Sequence, residues 1–566
     1  MMIWTIDLPP FMPFYLAALL SVFLRGWLRA IVMLAVPVLG GLQLTGLEIG
    51  EYNIFALMGF EFSPFRVDRL SILFGYLFHI AAFIGILYSL HVRDTVQQVA
   101  ALLYAGSALG AVFAGDLITL FVFWEMLAVS SVFLILARNT EAARRASIRY
   151  LVFQVLSGVL LLGGALLYFG STGTLAFNYI GLDSPAGYFI LAAFGIKSAF
   201  PFVHNWLTDA YPEATPTGTV FLSAFTTKVA VYALARGFPG VEVLVYIGAA
   251  MTCFPIFFAV IENNLRRVLA YSMINQIGFM VVGIGIGTEL ALNGAVAHAF
   301  NDVIFKGLLM MSMGAVLHMT GRINGSDLGS LYKSMPWTTA FCMVGAASIS
   351  AFPLFSGFVS KSMVMSAVLQ EDLGLIWLMM LFASAGVFHH AGIKIPYFAF
   401  FGHDPGYRPG EAPVNMVLAM GIGAVLCLFI GCYPVFLYDL LPFAVDYTAY
   451  DITHVLAQLQ ILFFSAAAFA WLQLSGIYPP ELHSTNLDVD WLYRRFAPNC
   501  IKRLGVVVKR YDDAFRNLFI SRFNRTLYFL EQQNGSHGVL ASGWPIGSMV
   551  LWVAILLATC LLLFFI

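Results

Sequence analysis

The stretch "GDLITLFVFWEMLAVSSVFLIL", residues 115–136, decides the class of fold. Its apolar length suits a bilayer core, which takes about 20 helical residues. Yet Glu125 stands near its middle. A polar atom without a partner costs several kcal/mol in lipid. A carboxylate placed there therefore points to a partner and a use.

Working outward, the same pattern repeats almost from end to end. The chain has 566 residues, 60% hydrophobic and 10% charged, with mean hydropathy +0.86. A soluble domain of this size has no interior large enough to hide so much apolar surface. About sixteen spans are expected, the first near 10–24 and the last at 546–566, with 337–371 readable as one helix or two. The fold class is all-α and polytopic. "MMIWTIDLPPFMPFYLAALL" lacks the basic region of a cleaved signal peptide and reads as a retained first span. Arg25 and Arg29 follow the first span, Arg93 the third, Arg144, Arg145 and Arg149 the fifth, and Arg266 and Arg267 the ninth. By the positive-inside bias the odd-numbered connections face the cytoplasm.

Several function classes drop out. The six cysteines show no CxxC or cluster spacing, which argues against iron–sulfur or zinc ligation, and no metal site or cofactor is expected. No phosphate-binding glycine pattern stands in a strand–helix setting, and net charge −1 leaves no nucleic-acid footprint.

Five charges fall inside apolar spans: Glu125, Lys197, Lys228, Lys306 and Lys361. Each is expensive at mid-span, roughly 2.5–3.5 kcal/mol on insertion scales. Desolvation disfavours the ammonium form of a lysine, so such a group is suited to taking up and releasing protons. "GAVAHAFNDVIFKGLLMMSMG", 294–314, is the richest span. His298, Asp302 and Lys306 lie four apart and stack on one helical face, as a proton relay or as polar glue between helices. "GIKSAFPFVHNW" at 195–206 and "SISAFPLFSGFVSK" at 348–361 share the string SAFP. Pro201 and Pro353 each remove a backbone donor and interrupt a helix, and paired interrupted helices mark translocation sites in many transporters. Secondary candidates are His204, and His390 and Lys394 in "GVFHHAGIKIPYFAFFG". Haem ligation by His389 and His390 is disfavoured, because neighbouring residues project from different helix faces.

Residues 475–545 break the apolar pattern. Leu504, Val508, Tyr511, Phe515, Leu518, Phe519 and Phe523 recur there at helical spacing between arginines and lysines. This is an amphipathic helix suited to a membrane surface or a neighbouring subunit, expected on the cytoplasmic side.

"GDLITLFVFWEMLAVSS", "KSAFPFVHNWLTDAYPEATPTGTVFLSAFTTKVAVYALAR", "HAFNDVIFKGLLMM" and "FPLFSGFVSK" together resemble the antiporter-like subunits of Mrp cation/proton antiporters and respiratory complex I. "LDVDWLYRR" is most similar to the D-type branch of Mrp subunits and to related hydrogenase subunits. The resemblance implies a core of about fourteen helices with two inverted five-helix repeats, here 96–236 and 237–405, each containing one broken helix. N-terminal spans at 1–95, further spans at 406–474, the amphipathic segment 475–545 and a final helix at 546–566 would complete the chain. It implies that Glu125 and Lys197 form a coupling ion pair and that Lys228 is the central proton carrier. His298 and Lys306 would link the half-channels, with Lys361 on the exit side. Many members carry a second histidine where this chain has Asp302, which leaves open a neutral shuttle, a counter-ion for Lys306 or a cation ligand.

The expected function is proton translocation within a multisubunit Na⁺ or K⁺/H⁺ antiporter of the inner (plasma) membrane, as a transport subunit without catalytic chemistry of its own. Partners would be other membrane subunits together with H⁺ and Na⁺ or K⁺, and no nucleic acid. The nearest rival is a proton-pumping subunit of a redox complex, NADH:quinone oxidoreductase or membrane-bound hydrogenase. Rivals of other classes are a membrane protein that itself holds haem or quinone, and a purely structural anchor.

Overall fold

The computed structural model describes residues 8–57, 59–479, 481–482, 486–535, 538 and 542–565. They form two compact units, Met1–Asn486 and Leu487–Ile566. Among the described residues thirteen helices are long and apolar enough to cross a membrane. The other expected spans are the short α1 (Met12–Phe23) and two helices that break midway.

The first unit continues with α2 (Gly26–Leu44) and two antiparallel strand pairs, β1 (Gly50–Tyr52) with β4 (Phe65–Val67) and β2 (Phe55–Leu57) with β3 (Phe60–Phe62). Then follow α3 (Arg69–Ser89), α4 (Thr95–Val112), α5 (Leu117–Leu136), α6 (Glu141–Thr172), α7 (Pro185–Lys197), α8 (Asn205–Ala210), α9 (Gly218–Ala224) and α10 (Thr226–Gly237). A second series comprises α11 (Val243–Ile261), α12 (Leu265–Ile286), α13 (Glu289–Thr320), α14 (Pro336–Ile349), α15 (Ser356–Gln370) and α16 (Gly374–Val387). α17 (Val414–Cys432), α18 (Val435–Tyr438) and α19 (Ile452–Leu474) complete the unit.

Local chemistry fixes where these helices begin. Asp68 and Ser71 form a reciprocal capping box on α3. The Asp116 carboxylate accepts from Ile118 N and Thr119 N to start α5, and from Ser63 N in the connection between β3 and β4. α6, α12 and α13 stop at Gly173, Gly287 and Gly321, all left-handed with φ of 73°, 78° and 69°.

The two SAFP strings make the same break. In the first, Ala199 and Phe202 have φ of 59° and 70°; in the second, Ala351 and Leu354 have 57° and 74°. Non-glycine residues rarely hold this conformation, so both breaks are strained in the same way. The stretch 337–371 is thus two half-helices, α14 and α15. The span expected at 217–236 also departs from a single helix. It interrupts at Phe225 (φ −104°, ψ −65°), between α9 and α10 and just ahead of Lys228.

α13 is the hub, packed against α12, α15, α14 and α17 and touching α3, α9 and α10. Apolar side chains on the outer faces of α1, α2, α6 and α17 are exposed, as lipid contact requires. The second unit holds α20 (Ala497–Asn534) and α21 (Ile546–Phe565). α20 is the expected amphipathic helix; its seven periodic apolar residues are all exposed. Residues 480, 483–485, 536–537 and 539–541 of the segment 475–545 lie outside the described residues.

Candidate functional site

At the break after α7 its last carbonyls turn to irregular partners, with Phe200 N donating to Gly195 O at 2.9 Å and Ala199 N to Ile196 O at 3.1 Å. Trp206 Nε1, from α8, donates to Ile196 O at 2.8 Å. Lys197, the last residue of α7 and fully buried, donates from Nζ to Trp124 O at 2.5 Å and lies 4.3 Å from the centroid of the Trp124 ring. Trp124 is itself held by a bond from Nε1 to Ser157 Oγ at 2.9 Å. Glu125 is half-buried beside it and within electrostatic reach of Lys197, but its Oε1 accepts no hydrogen bond. The expected ion pair is therefore open in this structure, because the lysine takes the tryptophan's carbonyl and ring instead. Glu125 rests on Gly158 of α6, whose missing side chain makes the room. One turn away, Gln154 is fully buried with neither amide atom partnered in the protein.

At the Phe225 interruption Tyr104 OH meets Thr226 Oγ1 at 2.6 Å and accepts from Thr226 N at 3.0 Å. Tyr150 and Tyr211 gather about the same threonine. Two residues on, Lys228 Nζ lies 2.6 Å from Asp302 Oδ2 of α13, with both side chains wholly inaccessible. Lys228 also donates to Ser223 O at 3.3 Å, a carbonyl freed by the interruption. Asp302 thus pairs with a lysine on another helix, whereas a counter-ion role toward Lys306 on its own helix was one of the readings left open for it. Its electrostatic reach still extends to Lys306, Lys361 and His298.

Beyond Asp302 the polar groups continue on α12, α13 and α15. Lys306 Nζ donates to Ser272 Oγ at 2.9 Å. The His298 ring sits between Gln276 Oε1 and Ser360 Oγ, each at 3.0 Å. Asn301 Nδ2 donates to Ser356 O at 2.8 Å and Ser360 Oγ at 3.1 Å. Lys361 reaches back across the second break to Ile349 O at 3.3 Å and borders a cavity of about 120 Å³ with Ser362, Ser366, His454 and Gln458.

α16 then widens into a π-helix over Phe388–Lys394. Such widenings often sit at functional positions. His390 is fully buried there; the Gly386 backbone meets at most one of its ring nitrogens, and Lys306 and Lys394 are among the charges acting on it. His389 instead packs edge-on against Phe469 and at a tilt against Tyr478. Lys394 Nζ donates to Val260 O at 2.6 Å and Glu262 O at 2.7 Å, and lies 2.9 Å from Glu481 Oε1. His204 is buried in the first break, its ring 4.7 Å from that of Phe254. Buried polar atoms without protein partners, such as those of Gln154, are ordinarily met by internal water.

Glu481, Glu262, Tyr104, Gln276 and His454 join the site without having been singled out in the sequence. Glu481 lies beyond the end of α19. Burial pushes its carboxyl above the usual carboxylate range against the opposing pull of Lys394, and Glu262 adds to the rise. Glu481 therefore takes up a proton at a higher pH than an exposed carboxylate, and the charged contact with Lys394 is lost as pH falls. Because the folded segment holds this proton more tightly than the opened one, its stability falls as pH rises. Amide exchange at residues 478, 479, 481 and 482 that carry an N–H, corrected for its intrinsic rate, should therefore be slower at pH 5 than at pH 7.5. Glu481→Gln, which carries the neutral form at every pH, should exchange at the slower rate at both; a pH-independent pattern in the unaltered chain would contradict this.

Residues 114–388 match the family described as "NADH:quinone oxidoreductase/Mrp antiporter, TM". An antiporter-like membrane module is what the broken helices and buried lysines define. The stretch is a member of that family, shared by Mrp antiporters and complex I. The D-type subunit of a Na⁺/H⁺ antiporter from Alkalihalophilus pseudofirmus is 31% identical over 46% of this chain and 57% of its own length. The N-type subunit of NADH-quinone oxidoreductase from Coxiella burnetii is 28% identical over 69% of this chain and 88% of its own. The chain spans little more than half the length of the antiporter relatives it matches. Among solved structures, the Mrp complex from Dietzia sp. DQ12-45-1b superposes with a TM-score of 0.77, 23% identity, and coverage of 92% of this chain and 62% of that one. The fold is therefore the antiporter-like one.

Proposed function

We propose that this chain is the proton-translocating subunit, similar to the D-type subunit of Mrp antiporters, of a Na⁺ or K⁺/H⁺ antiporter complex in the plasma membrane. The observation that carries the reading is that Lys197, Lys228, Lys306 and Lys361, on four separate helices, are all at most 2% exposed inside one bundle. Structural glue alone gives little reason to retain so many buried ammonium groups, since each carries a large desolvation cost.

The Lys228–Asp302 contact joins α10 to α13. A proton reaching Glu125 frees Lys197 from its influence, and the altered field acts on Lys228. At low dielectric a unit charge a few ångströms away matters by several kcal/mol before screening. Parting Lys228 from Asp302 leaves two uncompensated charges; Lys228 then gives its proton on toward Lys306 and His298 and becomes neutral, and the cation formed there is within electrostatic reach of the Asp302 carboxylate. Lys361 with its cavity, and Lys394 with Glu481, are the two ways out.

The likeness to the N-type oxidoreductase subunit favours a second reading, the same module driven by electron transfer in a redox complex. The two separate in one experiment. The intact assembly, purified and reconstituted in vesicles with a pH-sensitive dye inside, should move protons when a Na⁺ or K⁺ gradient is imposed without NADH. Glu125→Gln should slow this by about tenfold, the factor that corresponds to 1.4 kcal/mol. An assembly that contains flavin and iron–sulfur centres, and that moves protons only when NADH is supplied, would reverse the choice.

A further inference from the structure

We propose that the cleft between α2 and the start of α4 binds one anionic phospholipid, its phosphate on Arg25, Arg29 and Arg93 and one acyl chain along α4 and α5. Two observations made at separate places in the fold meet here.

The first is a cavity of about 690 Å³ lined by the three arginines with Trp27, Thr95 and Gln98. Arg29 is 9% exposed. Its Nε donates to Leu24 O at 2.7 Å, and its Nη1 to Thr95 Oγ1 at 3.0 Å and Gln98 Oε1 at 2.9 Å. Among the described residues none of the three arginines is in an ion pair with a carboxylate. The nearest acid in sequence, Asp94, is engaged in capping α4 through Val96 N. A nearly buried guanidinium held only by neutral acceptors has no counter-charge, a costly arrangement unless an anion completes it. Arginine forks suit phosphate oxygens in particular.

The second is a groove of about 410 Å³ whose lining is almost wholly apolar, including Val22, Val99, Leu103 and Met126. Thr95 borders both cavities, so the basic chamber passes into the apolar groove at that residue. A free phosphate or sulfate would fill only the basic end. A zwitterionic lipid would bring a further cation beside three arginines. A phosphatidylglycerol-type lipid satisfies both ends at once. Trp27, 70% exposed at the rim, stands at the level where tryptophan favours the headgroup boundary.

The test uses the full chain, released from detergent for native mass spectrometry with dioleoyl phosphatidylglycerol, dioleoyl phosphatidylcholine or inorganic phosphate. One phosphatidylglycerol should be retained at least tenfold better than phosphatidylcholine, and millimolar phosphate should not displace it. The exposed pair Arg25→Gln/Arg93→Gln keeps the buried Arg29 and should fold; it should lower retention at least fivefold. Val99→Trp fills the groove and should lower retention with the basic end intact. Equal retention of the two lipids marks an ordinary lipid-facing groove, and displacement by phosphate marks a plain anion site. Either result overturns the proposal, as does unchanged retention in the arginine pair. So does loss of the lipid in the intact assembly because another subunit covers the cleft.

Discussion

Lys228→Met should reduce proton flux in reconstituted vesicles by about a hundredfold or more, the low end of what a positioned proton-transfer group supplies. It should also destabilise the chain, since Asp302 then stays buried without its cation at 2.6 Å. Removing one partner of such a pair typically costs about 3–5 kcal/mol. Replacing both by apolar residues of similar volume is often neutral or stabilising. Lys228→Met/Asp302→Leu should therefore recover most of the lost melting temperature and none of the flux. Lys228→Arg separates the roles further: its charge persists against Asp302, but a guanidinium does not give up its proton. That variant should melt near the unaltered chain and move few protons. A double variant as unstable as Lys228→Met would remove the pairing argument, and wild-type flux in Lys228→Met would remove Lys228 from the path.

The same contact shows how far the sequence could be read. Span length is set by the bilayer, so apolar runs announce the helices almost one for one. The two SAFP breaks are legible because proline removes a backbone donor. The break at Phe225 has no such residue, since "LSAFTTK" contains neither proline nor glycine, and tertiary packing around Tyr104 and Thr226 holds it instead. The π-helical turn at Phe388–Lys394 left no mark in the sequence either. Asp302 was placed on the correct helix, but spacing along one helix names only neighbours on that helix. Its contact with Lys228 depends on how α10 crosses α13. Serine, asparagine and glutamine are too common inside membrane helices to single out, so Ser272, Gln276 and Ser360 emerge only as the partners of Lys306 and His298. Glu481 falls in the segment 475–545 outside its periodic apolar residues, and only the folded chain returns it to Lys394.

Gly158→Ala should impair transport as sharply as many changes to a charged residue, with no loss of folding. A Cβ built at Gly158 would stand 1.5 Å from Glu125 Oε1 and 2.5 Å from its Cδ. What it meets is the end of a flexible side chain, so the helix survives and the carboxylate swings aside. The displacement falls on the one acid, among the described residues, acting on Lys197, and the alignment of Glu125, Trp124 and Lys197 is lost. Flux should fall by about tenfold, equivalent to 1.4 kcal/mol of altered interaction. Gly163, five residues along the same helix, has nothing within 4 Å of its added Cβ. Gly163→Ala should leave flux unchanged and raise stability by up to about 1 kcal/mol, the helical preference of alanine over glycine. Gly158→Ala combined with Glu125→Asp, whose shorter side chain withdraws its carboxylate from the new methyl group, should regain part of the flux. If Gly158→Ala and Gly163→Ala transport alike, the glycine is not what sets the place of Glu125, and the coupling between that carboxylate and Lys197 must be sought elsewhere on α5 and α7.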